Sequence, residues 1–515
     1  MSEKFLLPPP GLLRTETLNL GPVIEPKFTD ARDWGELLPP VATTPVEFES
    51  RSLEAIDEAA AMAPEIALAA SEVGELIAGK RCGVISVGTR ATDRDTEYPV
   101  VVLYNYDDDV TVEALVDTSA KAVVRVGTSR TQPAVSDKEE QDAIDLVRRD
   151  GRLPGAGIDV ATGRGLIVEE TDVHSARHGH RLVDLRFGPE DRRVPTAYAI
   201  VDLSARDVAD AGVIPEGKLP AGYVGARPSR AAVRAASVSG SVSWPPEAPV
   251  WTFGWDVIDG NSEAIAFRDV YYRGKKVLYK ASVPMIRVQY DQGGGPYKDQ
   301  MSTGNMQRPV AVYEGSPGDG FRFLVVESYH IIGRYRLLNR WIFRDDGIIL
   351  PQMYSAGLQH PYNHRHHVYW RFDFDIDGAA DNLVLQHLPT GQDWGYGPGW
   401  QPKTTEVAAT HAGDNRWAVL NKATNRGFLV DKGPFDGTSD WFSRLDVAVV
   451  AYHGEEDLRG ALGTSTDDQL GLHLNGENVD GQDTVMWYVA HLAHEAHDGG
   501  DEWHVCGPIL RHFRY

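Results

Sequence analysis

Residues 363–378 read NHRHHVYWRFDFDIDG. Val368, Tyr369, Trp370, Phe372, Phe374 and Ile376 are β-branched or aromatic residues, the types that suit a pleated surface, so the stretch is predicted to be a strand. Side chains two apart on a strand share a face, which aims His364 and His366 at one point from a rigid element. Two imidazoles so placed are the start of a site for a borderline metal such as copper or zinc. His367 alternates to the other face.

Outward from this strand, the rest of the C-terminal half repeats its character. Short β-rich runs separated by Gly, Asp and Asn turns recur from about residue 249 to the end, among them KVLYKASV, FRFLVVESYHIIG, RLDVAVVAYH and DTVMWYVAHLAH. Strands this dense without intervening helices predict a large β-sandwich. Before it, LEAIDEAAAMAPEIALAASEVGELIA (53–78) is predicted to be a helix kinked or split at Pro64. Strands follow at 97–104, 110–117 and 121–127, then an amphipathic helix at 137–150 and strands at 164–171, 180–187 and 196–203. The fold class is therefore α+β, with one or two small α/β units ahead of the sandwich. The expected organisation is an extended arm over 1–50, small units over 51–135 and 136–215, a Pro/Gly/Ser/Arg-rich linker over 216–248, and the sandwich over 249–515.

The composition narrows the classes of function. The chain has 515 residues and a net charge of −23, with 42% hydrophobic and 24% charged residues. That length predicts several domains. The acidic balance disfavours a nucleic-acid or anionic-membrane surface. No apolar run reaches the ~20 residues needed to span a bilayer, and the N-terminus has no signal-peptide pattern. Cys82 and Cys506 are the only cysteines and are expected to be free thiols, consistent with a cytoplasmic protein.

Two histidines leave a metal site short of a ligand. The run MWYVAHLAHEAHDGGDEWH offers His491, His494, His497 and His504, and spacing alone does not choose among them. A family pattern does. The second half of the chain resembles the catalytic domain of the copper-containing amine oxidases. His364 and His366 are followed by Arg371, Asp373, Asp377 and Gly378 at that family's spacing. Asn475, Gly476, Asp483, Val485, Trp487 and Tyr488 then lead to His494 as the third copper ligand. WTFGWDV (251–257), VLYKASVPMIRVQY (277–290) and FRDDGIILPQMYSAG (343–357) have counterparts in the same order, so the likeness covers roughly 240–515.

The resemblance implies a chemistry and further sites. Family members make the quinone topaquinone from a tyrosine with copper and O2, and use it to oxidise a primary amine to an aldehyde, releasing ammonia and hydrogen peroxide. The matching residue is Tyr335. The family's Asn before it and acid after it are replaced by Arg334 and Arg336, which would draw an anionic or phenolic substrate. A quinone-free copper oxidase on the same scaffold, and a non-catalytic copper-binding homologue, are therefore alternative readings. Asp299 matches the general base and Tyr290 the tyrosine ahead of it, with Asp291 as an alternative base and Gly293–Gly295 as a loop over the site. Some members also hold calcium through positions that correspond to Asp373, Asp375 and Asp483 and the carbonyls of Phe374 and Thr484; hard oxygen ligands suit calcium or manganese. The family implies a homodimer acting on a small-molecule substrate with O2. His360 flanks the His364–His366 strand, and His330, His491 and His497 are expected either to orient ligands or to be ordinary polar residues.

Overall fold

The structure is a computed structural model and describes residues 43–188, 196–214, 238–258, 260–291, 294–307, 309–315, 322–360, 362–410, 416–456, 470–496 and 503–515. Two large sheets lie face to face. One runs in the order Glu49–Ser50, Val238–Trp244, Trp251–Val257, Ala266–Tyr272, Lys275–Tyr290, His364–Phe374, Thr484–His494, Leu445–Ala451, Val407–Thr410, with the short Tyr297–Asp299 strand also paired to Lys275–Tyr290. At the centre of the other are Phe323–Ile332, Tyr335–Arg344, Ile349–Ala356 and Ile509–Phe513. Both are antiparallel throughout the central strands, so each strand alternates between the shared core and an outer face.

The core between the sheets is aromatic. Phe253 stacks on Phe343 with ring centroids 4.5 Å apart, Phe267 lies 4.9 Å from Trp341, and Trp341 meets Phe372 edge-on at 6.1 Å. His364, His366, Trp370 and Phe372 project into this layer from one sheet, and Tyr335, Leu337, Trp341 and Phe343 from the other. The outer face of the His364–Phe374 strand, with His367, Tyr369, Arg371 and Asp373, is also buried.

Two smaller sheets precede the sandwich, each an antiparallel meander of four strands covered by helix. Cys82–Ala91, Glu97–Asn105, Val110–Asp117 and Ala122–Ser129 pack Val101, Leu103, Val112 and Ala114 against Ala63, Ala67 and Val73. Arg164–Val168, Leu182–Phe187, Ala197–Asp202 and Asp207–Val213 pack on Ala143, Ile144 and Val147 of the Asp137–Asp150 helix. That helix starts at a full capping box between Ser136 and Glu139.

Several expectations are corrected. The first helix does not break at Pro64. Glu54–Ala69 continues through it, because Ala63 and Ala67 on either side are anchored against the sheet, and the break falls at Ala70, whose backbone is extended. Val238–Trp244, placed by sequence in the linker, is a strand paired along its length with Trp251–Val257. Thr43–Pro45 and Glu49–Ser50, placed in the arm, each join one of the two large sheets. The rest of the arm (1–42), most of the linker (215–237), Gln292, Gly293 and His497 lie outside the described residues. Cys82 and Cys506 are free thiols. Among the described residues no helix is long and apolar enough to cross a membrane.

Candidate metal and redox site

His364 and His494 face each other directly across neighbouring strands, and His366 follows two positions on. Their candidate ligand atoms lie within 4.8 Å of one another, and all three side chains are buried. His364 Nε2 and His366 Nε2 are 3.0 Å apart. His364 Nδ1 lies 3.0 Å from the carbonyl oxygen of Tyr362. A carbonyl only accepts, so Nδ1 carries the proton and Nε2 keeps its lone pair facing the cluster. Burial, reinforced by the neighbouring imidazoles, holds His364 and His366 well below the usual histidine range. They stay neutral, the state a metal requires. His366 Nδ1 has no hydrogen-bond partner among the described residues. Three buried imidazoles from two paired strands fit copper.

The facing sheet brings Tyr335. It opens the Tyr335–Arg344 strand, is fully buried, and sets its hydroxyl 3.0 Å from His364 Nε2. The Tyr290 hydroxyl contacts the Tyr335 hydroxyl, and the Tyr290 ring stacks on His364 at 4.3 Å. Backbone N–H groups of Gln359 and His360 donate to Tyr290 Oη at 3.1 and 3.3 Å. With those acceptor positions filled, the Tyr290 proton points to Tyr335, and the Tyr335 proton to His364.

Asp299 faces the same layer. Its strand pairs Ile286 with Asp299 and Val288 with Tyr297, and paired residues share a face, so Asp299 lies on the side that carries Tyr290. It is fully buried, neither carboxylate oxygen has a partner among the described residues, and burial pushes its carboxyl up to about 8. Asp291, the alternative base, is exposed. Arg336 alternates away from Tyr335. It sits beside Leu338 and Tyr354 on the outer face and stacks over Trp503 at 5.2 Å. Arg334 is in the tight turn at Gly333, where its backbone N–H donates to Gln359 Oε1 at 3.1 Å.

A cavity of about 1040 Å³ opens beside these groups, between the second small sheet and the sandwich. Asp184, Arg186 and Tyr198 line it from the small sheet, and Tyr297, His360, Trp441 and Phe442 from the sandwich. Arg186 Nη2 donates to Asp184 Oδ2 at 2.7 Å, and the Tyr297 hydroxyl contacts both Asp184 and His360. Burial works to raise the Asp184 carboxyl, but Arg186 and His360 outweigh it and hold it at about 2. The sequence reading passed over Asp184 and Arg186. Nothing in the sequence of Leu182–Phe187 signals that Arg186 reaches a histidine 174 positions away.

The other histidines divide. His367 Nδ1 lies 2.7 Å from His491 Nδ1 on the outer face, with Asp446 2.7 Å from His491 Nε2 and Asp440 3.3 Å from His367 Nε2. His330 is buried between Asn305 and Ser328, both at 2.8 Å. The His504 ring lies against the candidate ligand His494, tilted by 36° with centroids 4.4 Å apart.

The three carboxylates expected at a second cation site lie together. Asp373, Asp375 and Asp483 converge, and Phe374 pairs with Thr484 beside them. A side chain from the first small sheet already fills it. Arg94 Nη1 and Nη2 bond the two oxygens of Asp375 at 3.0 and 2.9 Å, and Arg94 Nε donates to Asp483 Oδ2 at 2.7 Å. As it stands the cluster does not fit a bound calcium.

No protein-family model matches the chain, and no curated protein sequence matches it. Solved structures do. A copper-containing benzylamine oxidase from Hansenula polymorpha aligns over 90% of this chain and 97% of its own, with a TM-score of 0.59 at 12% identity. An Aspergillus nidulans amine oxidase aligns over 90% and 88%, with a TM-score of 0.54 at 12% identity. A Pichia pastoris lysyl oxidase aligns over 84% and 85%, with a TM-score of 0.53 at 12% identity. The chain has a copper amine oxidase-like fold.

Proposed function

We propose that the chain is a copper-dependent oxidase of the amine oxidase type, which converts a primary amine, O2 and water to an aldehyde, ammonia and hydrogen peroxide. The observation that carries this reading is the Tyr335 hydroxyl, buried 3.0 Å from the lone-pair nitrogen of His364. Copper held by His364, His366 and His494 would supply electron exchange with O2, and a quinone formed from Tyr335 would supply an electrophilic carbonyl for the amine. The chain's own groups do the rest. Tyr290, held by two backbone N–H groups, fixes the Tyr335 oxygen. Asp299, once ionised, is the base that takes the α-proton of the substrate. The aromatic layer excludes bulk water, which strengthens each of these interactions. The cavity at Asp184, Arg186 and His360 admits the substrate. The family's homodimer is part of the same reading.

The test is the peptide that contains Tyr335, from protein loaded with copper in air. Its mass should show added oxygen, the protein should show a quinone absorbance that phenylhydrazine quenches, and Tyr335→Phe should lose both along with amine oxidation. An unmodified tyrosine in active, copper-loaded enzyme overturns the quinone route and supports a quinone-free copper oxidase.

A further inference from the structure

We propose that Arg94 is a built-in cation. It takes the place of a divalent ion in the Asp373–Asp375–Asp483 cluster and straps the first small sheet to the back of the histidine strands. The cluster would then become a site for a hard divalent cation only when Arg94 is removed.

Charge and geometry both support this. Three carboxylates meet here. Arg94 contacts all three, Arg371 Nη2 donates to Asp373 Oδ2 at 3.1 Å, and Lys276 Nζ lies 3.2 Å from Asp375 Oδ2. Three formal negative charges thus meet three positive ones supplied by the chain's own side chains. A calcium ion needs roughly six to eight oxygens at about 2.3–2.6 Å. The carboxylate oxygens that would supply them are engaged in a two-pronged guanidinium contact, the geometry in which Arg binds carboxylate most specifically. The guanidinium is also held from the sides, 4.3 Å from the Tyr279 ring and 4.9 Å from the Tyr452 ring. The Tyr279 hydroxyl donates to the Arg94 carbonyl at 3.1 Å, which fixes the loop itself.

The placement matters for the site. Asp373 is on the His364–Phe374 strand, and Asp483 immediately precedes Thr484–His494. The strap therefore grips the far ends of the two strands whose near ends carry His364, His366 and His494. A protein that anchors these strands with its own side chain does not depend on ambient calcium to keep them in register.

The experiment uses the full chain, stripped with EGTA and titrated with CaCl2 while thermal unfolding and bound calcium are measured. Wild type should bind no calcium at millimolar concentration, and its unfolding midpoint should not move with EGTA or calcium. Arg94→Ala should unfold at a lower temperature and recover with calcium, saturably, at one ion per chain and with a dissociation constant on the order of 10⁻⁴ M. Adding Asp483→Asn to that variant should abolish the recovery, which places the ion in the cluster. Arg94→Gln is the second variant if Arg94→Ala does not fold, and Arg94→Lys should gain no calcium response because its charge remains. Stoichiometric calcium in wild type overturns the proposal. So does a folded Arg94→Ala or Arg94→Gln that gains no calcium.

Discussion

Asp299 is a carboxylic acid sealed in an apolar layer, and its own titration tests its role. In the unfolded chain an aspartate loses its proton near pH 4. In the folded protein burial delays that loss to about 8. Between those limits the unfolded state releases a proton that the folded state keeps, so stability falls as pH rises through the window and the penalty is complete above about 8. Asp299→Asn removes the penalty. The variant should match wild type in urea unfolding near pH 4 and exceed it by a few kcal/mol at pH 9. Catalysis runs the other way, because the base works only when ionised. Wild-type kcat/KM should rise with pH toward about 8, and the Asn variant should lose about 10²- to 10⁴-fold while still modifying Tyr335. A variant that is active, or one with no pH-dependent stability difference, removes Asp299 from the role. At this scale the sequence reveals residues whose neighbours are close along the chain. Alternation alone pairs His364 with His366. The hydroxyl contact of Tyr290 with Tyr335 and the seat of Arg94 among Asp373, Asp375 and Asp483 depend on folding together distant segments, and no local pattern carries them.

The strand carrying the two histidines is central in its sheet, between Lys275–Tyr290, which carries Tyr290, and Thr484–His494, which carries His494. One element thus sets the positions of two others, and the facing Tyr335 depends on how its own strand begins. That start is pinned at Gly357, which has φ +100°, and a Cβ there would overlap the Arg334 carbonyl oxygen. Gly357→Ala should cost about 1–3 kcal/mol in denaturant unfolding through backbone strain. It should also slow Tyr335 modification while leaving copper binding at the other sheet intact. Equal modification rates would mean that the turn does not position the tyrosine. Elements with strong period-2 patterning were readable, as at Val110–Asp117 and Thr484–His494. Cys82–Ala91 was not, since Gly83 and Gly88 dilute its β-branched positions, and neither was the exposed Asp207–Val213 edge. The break at Ala70 rather than Pro64 follows from packing, which overrides local propensity where a helix face is anchored.

At the scale of the molecule, the density of strands after residue 249 was enough to predict a sandwich, but not which sheet each strand joins. Thr43–Pro45 and Ile509–Phe513, from opposite ends of the chain, belong to one sheet without pairing to each other, and this arrangement has no sequence signature. The two small sheets have separate apolar cores of their own. The second also lends Leu166, Val168 and Leu182 to the core of the sandwich, and polar contacts tie both to it, among them the Arg94 strap, Arg268 with Glu97, and the Asp184–Arg186–His360 contact. Copper bound by the three histidines should therefore stabilise the molecule unevenly. Metal that binds only the folded state adds about 4 kcal/mol at a thousandfold excess over its dissociation constant. Because all three ligands lie on two paired strands, that gain belongs to the openings that separate those strands. In hydrogen exchange, copper should slow the amides of Lys275–Tyr290, His364–Phe374 and Thr484–His494 and leave those of Glu97–Asn105 and Ala197–Asp202 nearly unchanged. His494→Ala should abolish the protection without altering the metal-free pattern. Uniform protection across all four sheets would mean that the small sheets and the sandwich open as one unit, with the contacts between them as strong a tie as the cores within them.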